Sequence, residues 1–233
     1  MDNSVVSEAL QLICEGSVDE ELFRRLITAR NITSFQVRCA RKNDEKGCSG
    51  LSGITNTVAA VLGAGSLRGS IVKGMLIAVD SDDDPLEAFA AVCESLVAAE
   101  LPSIPSQLLE IKPGGSKPSS PAVAVLTVPW TDRKGNVETL ILEALQRTYA
   151  DLVAPVDEFC RLTDHRIGSW SFGKKSKMRL RSTIAASYKT DPGISLSYYL
   201  QSERTCPIDF QHPIFDQICG YLEAFKTAVL GGV

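Results

Sequence analysis

The chain has little of what most hydrolase and metal-ribbon sites are built from. Its seven cysteines, Cys14, Cys39, Cys48, Cys93, Cys160, Cys206 and Cys219, are scattered, odd in number and never spaced C-x-x-C. That pattern favours reduced thiols in a cytosol over a disulfide framework or a zinc ribbon. There are two histidines, His165 and His212, each far in sequence from any serine or cysteine in a nucleophile motif, which argues against a hydrolase triad. His212 precedes Pro213 at an expected helix start, where a structural role suffices. No GK[ST] occurs, and Gly63, Gly65 and Gly69 of GAGSLRG do not give G-x-G-x-x-G, so that stretch is read as a flexible turn and not a phosphate loop. No apolar run is long enough to span a bilayer, and MDNSVVSEALQLICEG has no basic n-region, so a cytoplasmic protein without membrane contact is expected. Positive charge is also short: 24 Lys and Arg against 28 Asp and Glu leave a formal net charge of -4. Any nucleic-acid contact must therefore come from a local basic patch or through metal ions.

What is present suits an α/β protein. At 233 residues and 44% hydrophobic, the chain can bury a substantial core. Ala9 to Cys14 reads as a first strand. Ser17-Val18-Asp19-Glu20 fits an S-x-x-E capping box, opening a helix to about Arg30 with Leu22, Phe23, Leu26 and Ile27 on its buried face. Ser34 to Ala40 is a second strand, Arg41 to Gly53 a loop and Ile54 to Leu62 a helix. Met75 to Val79 is a third strand; Pro85 then begins a helix capped by Asp84, with Ala88, Phe89, Val92, Leu96 and Val97 as its buried stripe. Further strands are expected at Gln107 to Lys112 and Ala122 to Val128, separated by the irregular PGGSKPSSP, and a helix at Val137 to Tyr149. The alternation of strand and helix stops near Ala150, which sets a soft boundary: an α/β domain over 1–150 and a mainly helical region over 151–233, with helices at Val156 to Leu162, Lys174 to about Ser187 and Ile214 to Val229.

The chemistry is expected where the apolar run Met75 to Val79 ends in Asp80, Asp82, Asp83 and Asp84. Carboxylates at a strand's carboxyl end lie where open α/β sheets place ligands. If the chain stays extended, Asp80 and Asp82 leave the same face and can share one cation. A solvated acidic loop at a helix N-terminus is the plainer alternative; it is preferred for Asp83 and Asp84, function for Asp80. Glu15, in the turn after the first strand, has either explanation. Cys14 is expected to point away from the site face as a small core residue.

Taken together, CEGSVDEELFRRL, LIAVDSDDDP and TVPWTDRKGNVETLILEAL resemble, over about Ala9 to Leu145, the Toprim domain shared by topoisomerases, bacterial primases, ribosomal RNA maturases and overcoming-lysogenization-defect nucleases. The likeness is greatest to a little-characterised prokaryotic Toprim-like group whose third motif also ends in Glu. The resemblance implies Mg2+- or Mn2+-dependent phosphodiester chemistry, with Glu15, Asp80 and Asp82 as the acidic triad and Glu138 as the additional metal-binding Glu of the nuclease-like branches. The chain departs from the D-P-D-R-type sequence of topoisomerases, having Asp80-Ser81-Asp82-Asp83. It is also too short for the topoisomerase or primase layout. A nuclease, with an ATPase partner in defence against foreign DNA as in related branches, or a noncatalytic Toprim-fold binding or regulatory module, is what remains.

Lys174, Lys175, Lys177, Arg179 and Arg181, preceded by Trp170 and Phe172, form the densest basic run. A nucleic-acid surface would set these cations on phosphates and the aromatics on bases; a solvated helix face with two buried aromatics explains the composition equally. Lys112 and Lys117 are weaker candidates. A receiver-like phosphoacceptor domain would need an acidic pair after the first strand, where Glu15-Gly16 offers only one acid.

Overall fold

Four apolar runs pair side by side in the computed structural model, which describes residues 6–40, 50–68, 72–115, 120–202 and 206–231. They are β1 (Leu10–Cys14), β2 (Phe35–Cys39), β3 (Gly74–Asp80) and β4 (Ala122–Val128), all parallel in the order β2-β1-β3-β4. Every residue of β1 and β4 is buried, because a parallel sheet is covered on both faces and its strands read as continuous apolar runs. The helices are α1 (Ser17–Ala29), α2 (Ile54–Arg68), α3 (Pro85–Ala98), α4 (Val137–Leu145), α5 (Ala150–Leu162), α6 (Asp164–Ile167), α7 (Phe172–Ser187), α8 (Leu196–Gln201) and α9 (Asp216–Leu230). The fold is thus α/β, a Toprim-like parallel sheet flanked by helices with a helical C-terminal part, as expected from the sequence.

Side chains alternate across the strands and divide the core in two. Leu12, Leu76, Ala78 and Leu126 face α1, α4 and α7 to α9. Ile13, Met75, Ile77, Val79 and Val125 face α2 and α3. Helix α1 buries Leu22, Phe23 and Leu26 against the first layer, each contributing about 2 kcal/mol. Leu180, Leu200 and Phe225, from beyond residue 150, belong to that same layer, so the C-terminal helices share the sheet's core. Asp80 continues the alternation of Leu76 and Ala78 and emerges on this side. Cys14 is a buried core residue, but it lies in this layer too; it shares the face of Asp80 and does not point away from it, because strand parity and not proximity to Glu15 decides its direction.

Several local expectations are corrected. The α1 N-cap is Gly16, without a side-chain cap bond, so Ser17 is the first helical residue and the expected capping box does not form. Residues 50–53 form a 3₁₀ turn, while the rest of the loop expected over 41–53 lies outside the described residues. Gly63 and Gly65 continue α2 to Arg68 instead of forming a turn; Gly69 is outside the described residues, as are Lys117 and most of the 113–121 loop's centre. Gln107 to Lys112 is not a strand: Leu109 takes a φ of 61° and Lys112 makes only an isolated bridge to Val123. On α3, Val92 and Leu96 are buried, but Val97 is exposed. The α4 helix ends at Leu145, short of Tyr149, and α5 starts at Ala150. Cys39 is disulfide-bonded, which corrects the expectation of reduced thiols there, since scatter along a chain says nothing of proximity in space; Cys14, Cys93, Cys160, Cys206 and Cys219 are free.

Candidate functional site

At the carboxyl ends of β1 and β3 lies an open cleft of about 250 Å³ lined by Glu15, Asp19, Asp80, Glu138 and Lys177, with Gly16 and Gly50 at its wall. Parallel pairing sets Cys14 beside Ala78. Glu15, one residue past its strand, therefore meets the end of β3, and its Oε2 accepts from the Asp80 backbone N–H at 3.4 Å. Gly50, at a φ of +59°, lies beside Glu15, since a Cβ there would stand 3.5 Å from Glu15 Oε1.

Asp80 points at the start of α4. Its Oδ1 accepts from the Val137 N–H at 3.2 Å, where the helix N-terminus favours negative charge. Its Oδ2 stands 3.8 Å from Lys177 Nζ. That lysine is delivered by contacts between α4 and α7. Asn136 caps α4 in a reciprocal box with Thr139, its Nδ2 donates to the Gly173 carbonyl at 3.1 Å, and Thr139 Oγ1 lies 3.2 Å from Ser176 Oγ.

Asp19, the third residue of α1, folds back over Gly16 and takes its backbone N–H. A Cβ on Gly16 would stand 2.7 Å from Asp19 Oδ2, so the turn needs glycine for this close approach.

Crowding of acids disturbs their protonation. Burial, then the charges of Asp19, Glu15 and Glu138, push Asp80 well above the usual carboxylate range, against the pull of Lys177. Burial and Glu138 raise Asp19 to about 6. Burial also raises Glu15 and Glu138, with Lys177 acting against both. Lys177 is itself held above its usual range: burial lowers it, and Glu138, Asp80, Asp82 and Asp19 more than offset that.

The rest of the acidic stretch does different work. Asp82 has a φ of 44° and pairs its backbone with Gly135. The chain thus turns there, and the extended geometry that would put Asp80 and Asp82 on one face is not adopted. Asp82 sits exposed at the rim, where its charge still raises Glu15 and Glu138. Asp84 caps α3 as expected, accepting from Leu86 N–H at 2.8 Å. Asp83 accepts from Phe172 N–H at 3.0 Å, at the N-terminus of α7.

The sequence from residue 10 to 227 matches the family model described as "Protein of unknown function (DUF3226)". The chain belongs to the DUF3226 family. No curated protein and no solved structure matches it.

In this DUF3226 chain the basic run does not form one surface. Helical spacing sends Lys175 and Arg179 toward α6 and α5, where they approach Asp164 at 3.8 Å and Asp157 at 3.3 Å. Lys174, Lys177 and Arg181, three and four residues apart, share another face. Trp170 and Phe172 are each 42% exposed, so neither is the buried aromatic that a plain solvated helix face would have. Lys112 pairs with Glu110 at 3.5 Å. His212 caps the 3₁₀ turn at Pro213 through its Nδ1, and His165 is exposed.

The donors suit a hard cation: all are carboxylate oxygens, and Glu138 Oε2 is buried with no hydrogen-bond partner among the described residues. As placed, no three His, Cys, Asp or Glu side chains among the described residues converge on a common metal position, and Lys177 supplies the positive charge instead. Glu15, Asp80 and Glu138 are brought together as the sequence suggests. Asp19 is the site residue that sequence reasoning missed. Its signal was present four residues after Glu15 on the first turn of α1, but was absorbed into helix capping. Among the described residues no helix is long and apolar enough to cross a membrane.

Proposed function

We propose that the chain is a metal-dependent nuclease of Toprim type that hydrolyses DNA or RNA phosphodiesters. The observation that carries this reading is the meeting of Glu15, Asp19, Asp80 and Glu138, from two strand ends and two helix starts, in one open cleft. Glu15, Asp80 and Glu138, which line the cleft, are the residues that would hold Mg2+ or Mn2+, while Asp82, outside the lining, would add its negative charge nearby. When bound, the ion supplies charge neutralisation on nonbridging phosphate oxygens and a more acidic water. Burial and mutual repulsion raise the acids of the cleft above the usual carboxylate range, Asp19 to about 6, and a carboxyl so raised is a better proton donor to a leaving oxygen. Lys177 and the α4 N-terminus orient a phosphate against the cleft. An ATPase partner, a role in defence against foreign DNA and a cytoplasmic site of action follow from the resemblance and belong to the same proposal.

The test is cleavage of plasmid, single-stranded DNA and RNA by purified protein with Mg2+ or Mn2+. Glu15→Ala and Asp80→Ala are each expected to abolish it, and full activity in both variants overturns the reading. A noncatalytic binding or regulatory module is the second reading, favoured by the Lys177–Asp80 ion pair inside the cleft. It predicts no cleavage with any metal and a specific partner in pull-down.

A further inference from the structure

Beside the acidic cleft, between α5 and α7, runs an open groove of about 730 Å³ lined by Phe159, Trp170, Lys174, Lys177, Met178 and Arg181. Two aromatic side chains are exposed there, Phe159 at 47% and Trp170 at 42%. Exposed aromatics gathered in one groove with cations mark a surface that can take a ligand. Lys177 pairs with Asp80 at 3.8 Å, but among the described residues Lys174 and Arg181 have no ion-pair partner of the kind that Lys175 and Arg179 have. Lys174 has no ion pair among those formed by the described residues, and Lys177 lines both the groove and the cleft. Arg181 is within electrostatic reach of Glu138 on the cleft wall. The groove is therefore continuous with the acids through two cations, on a molecule that is acidic overall.

We propose that this groove binds single-stranded nucleic acid, its bases stacked on Trp170 and Phe159 and its phosphates on Lys174 and Arg181, and leads the strand past Lys177 into the carboxylate cleft. The assignment deepens the nuclease reading and rests on it for the fate of the strand, but the binding itself does not require hydrolysis. Stacking platforms flanked by cations suit unpaired bases, whose faces are free, whereas in a duplex those faces are covered by neighbouring pairs. Charge complementarity excludes a cationic ligand, and the paired aromatics are superfluous for a bare phosphate.

The test is fluorescence anisotropy of the full chain, in EDTA so that no cleavage intervenes, with a labelled twelve-residue oligothymidylate and a duplex of the same length as probes. The single strand is expected to bind at least about tenfold more tightly than the duplex at equal salt. Trp170→Ala is expected to weaken it about tenfold, with Trp170→Phe, which keeps a ring, retaining most of the affinity. Arg181→Ser is expected to flatten the log–log salt dependence by about 0.7. Equal binding of single strand and duplex overturns the proposal, as does unchanged affinity in both Trp170→Ala and Phe159→Ala, or binding of polyglutamate in place of oligothymidylate. Single-strand binding without cleavage in any metal supports the groove and overturns the nuclease reading; cleavage with equal binding of the two probes does the reverse.

Discussion

Lys177 Nζ and Asp80 Oδ2 face each other at 3.8 Å, joining a cation of the C-terminal helices to an acid at the end of the sheet. The pair sets the electrostatic balance of the cleft. Lys177→Met leaves Glu15, Asp19, Asp80 and Glu138 without it. With the lysine side chain 47% exposed, solvent screening limits the expected loss to about 1 kcal/mol. Thermal unfolding in EDTA should show a lower Tm, and millimolar Mg2+ should recover it by binding the folded state. A melt indifferent to both changes removes the balance argument.

Asp19 makes stability depend on pH. Its folded carboxyl titrates at about 6, above its ordinary value of 3.8, through burial and the charge of Glu138. The folded state therefore binds this proton more tightly than the unfolded chain. The group's contribution is most favourable below about pH 4 and is lost as pH rises through 6. Asp19→Asn is expected to stabilise the protein by on the order of 1 kcal/mol at pH 8, with the gain vanishing by pH 4. Urea midpoints at the two pH values check this; equal destabilisation at both contradicts it.

Asn136 holds α4 and α7 together, capping the first and donating to the Gly173 carbonyl of the second. Asn136→Ala is expected to cost about 2 kcal/mol, from a lost cap and a lost hydrogen bond between the two helices. Asn136→Ser keeps a capping oxygen and should lose less. The urea midpoint distinguishes them.

Two glycines should respond in opposite directions. A Cβ on Gly173 runs into Asp82 Oδ1 and stands 3.1 Å from Asn136 Nδ2, whereas a Cβ on Gly63 meets nothing within 4 Å. Gly173→Ala is expected to destabilise by about 1–3 kcal/mol. Gly63→Ala, on an exposed position of α2, should stabilise by about 0.5–1 kcal/mol. Differential scanning calorimetry of the two variants provides the comparison.

The strands that carry the site were legible because buried parallel strands are written as unbroken apolar runs, and Glu15 and Asp80 stand where two such runs stop. Glu138 was placed in the first turn of a helix after β4, but its metal role rests on the resemblance alone. What could not be read was anything set by a single backbone angle. The positive φ of Asp82 undoes the same-face geometry that alternation suggests, and that of Leu109 breaks a run that otherwise reads as a strand. Asp19 was hidden because one residue performs two tasks, taking the Gly16 N–H and facing Glu138, and local capping rules account for the first completely. The division of the basic run is legible only in retrospect, since helical spacing sorts the cations but not which neighbours await them.

The cleft's acids and its cation are far apart along the chain: Glu15, Asp19, Asp80 and Glu138 are all in place by residue 138, and Lys177 arrives on α7. A chain cut short before α7 would accordingly carry the four acids of the cleft without their counter-charge, and without Leu180 in the core layer beneath them.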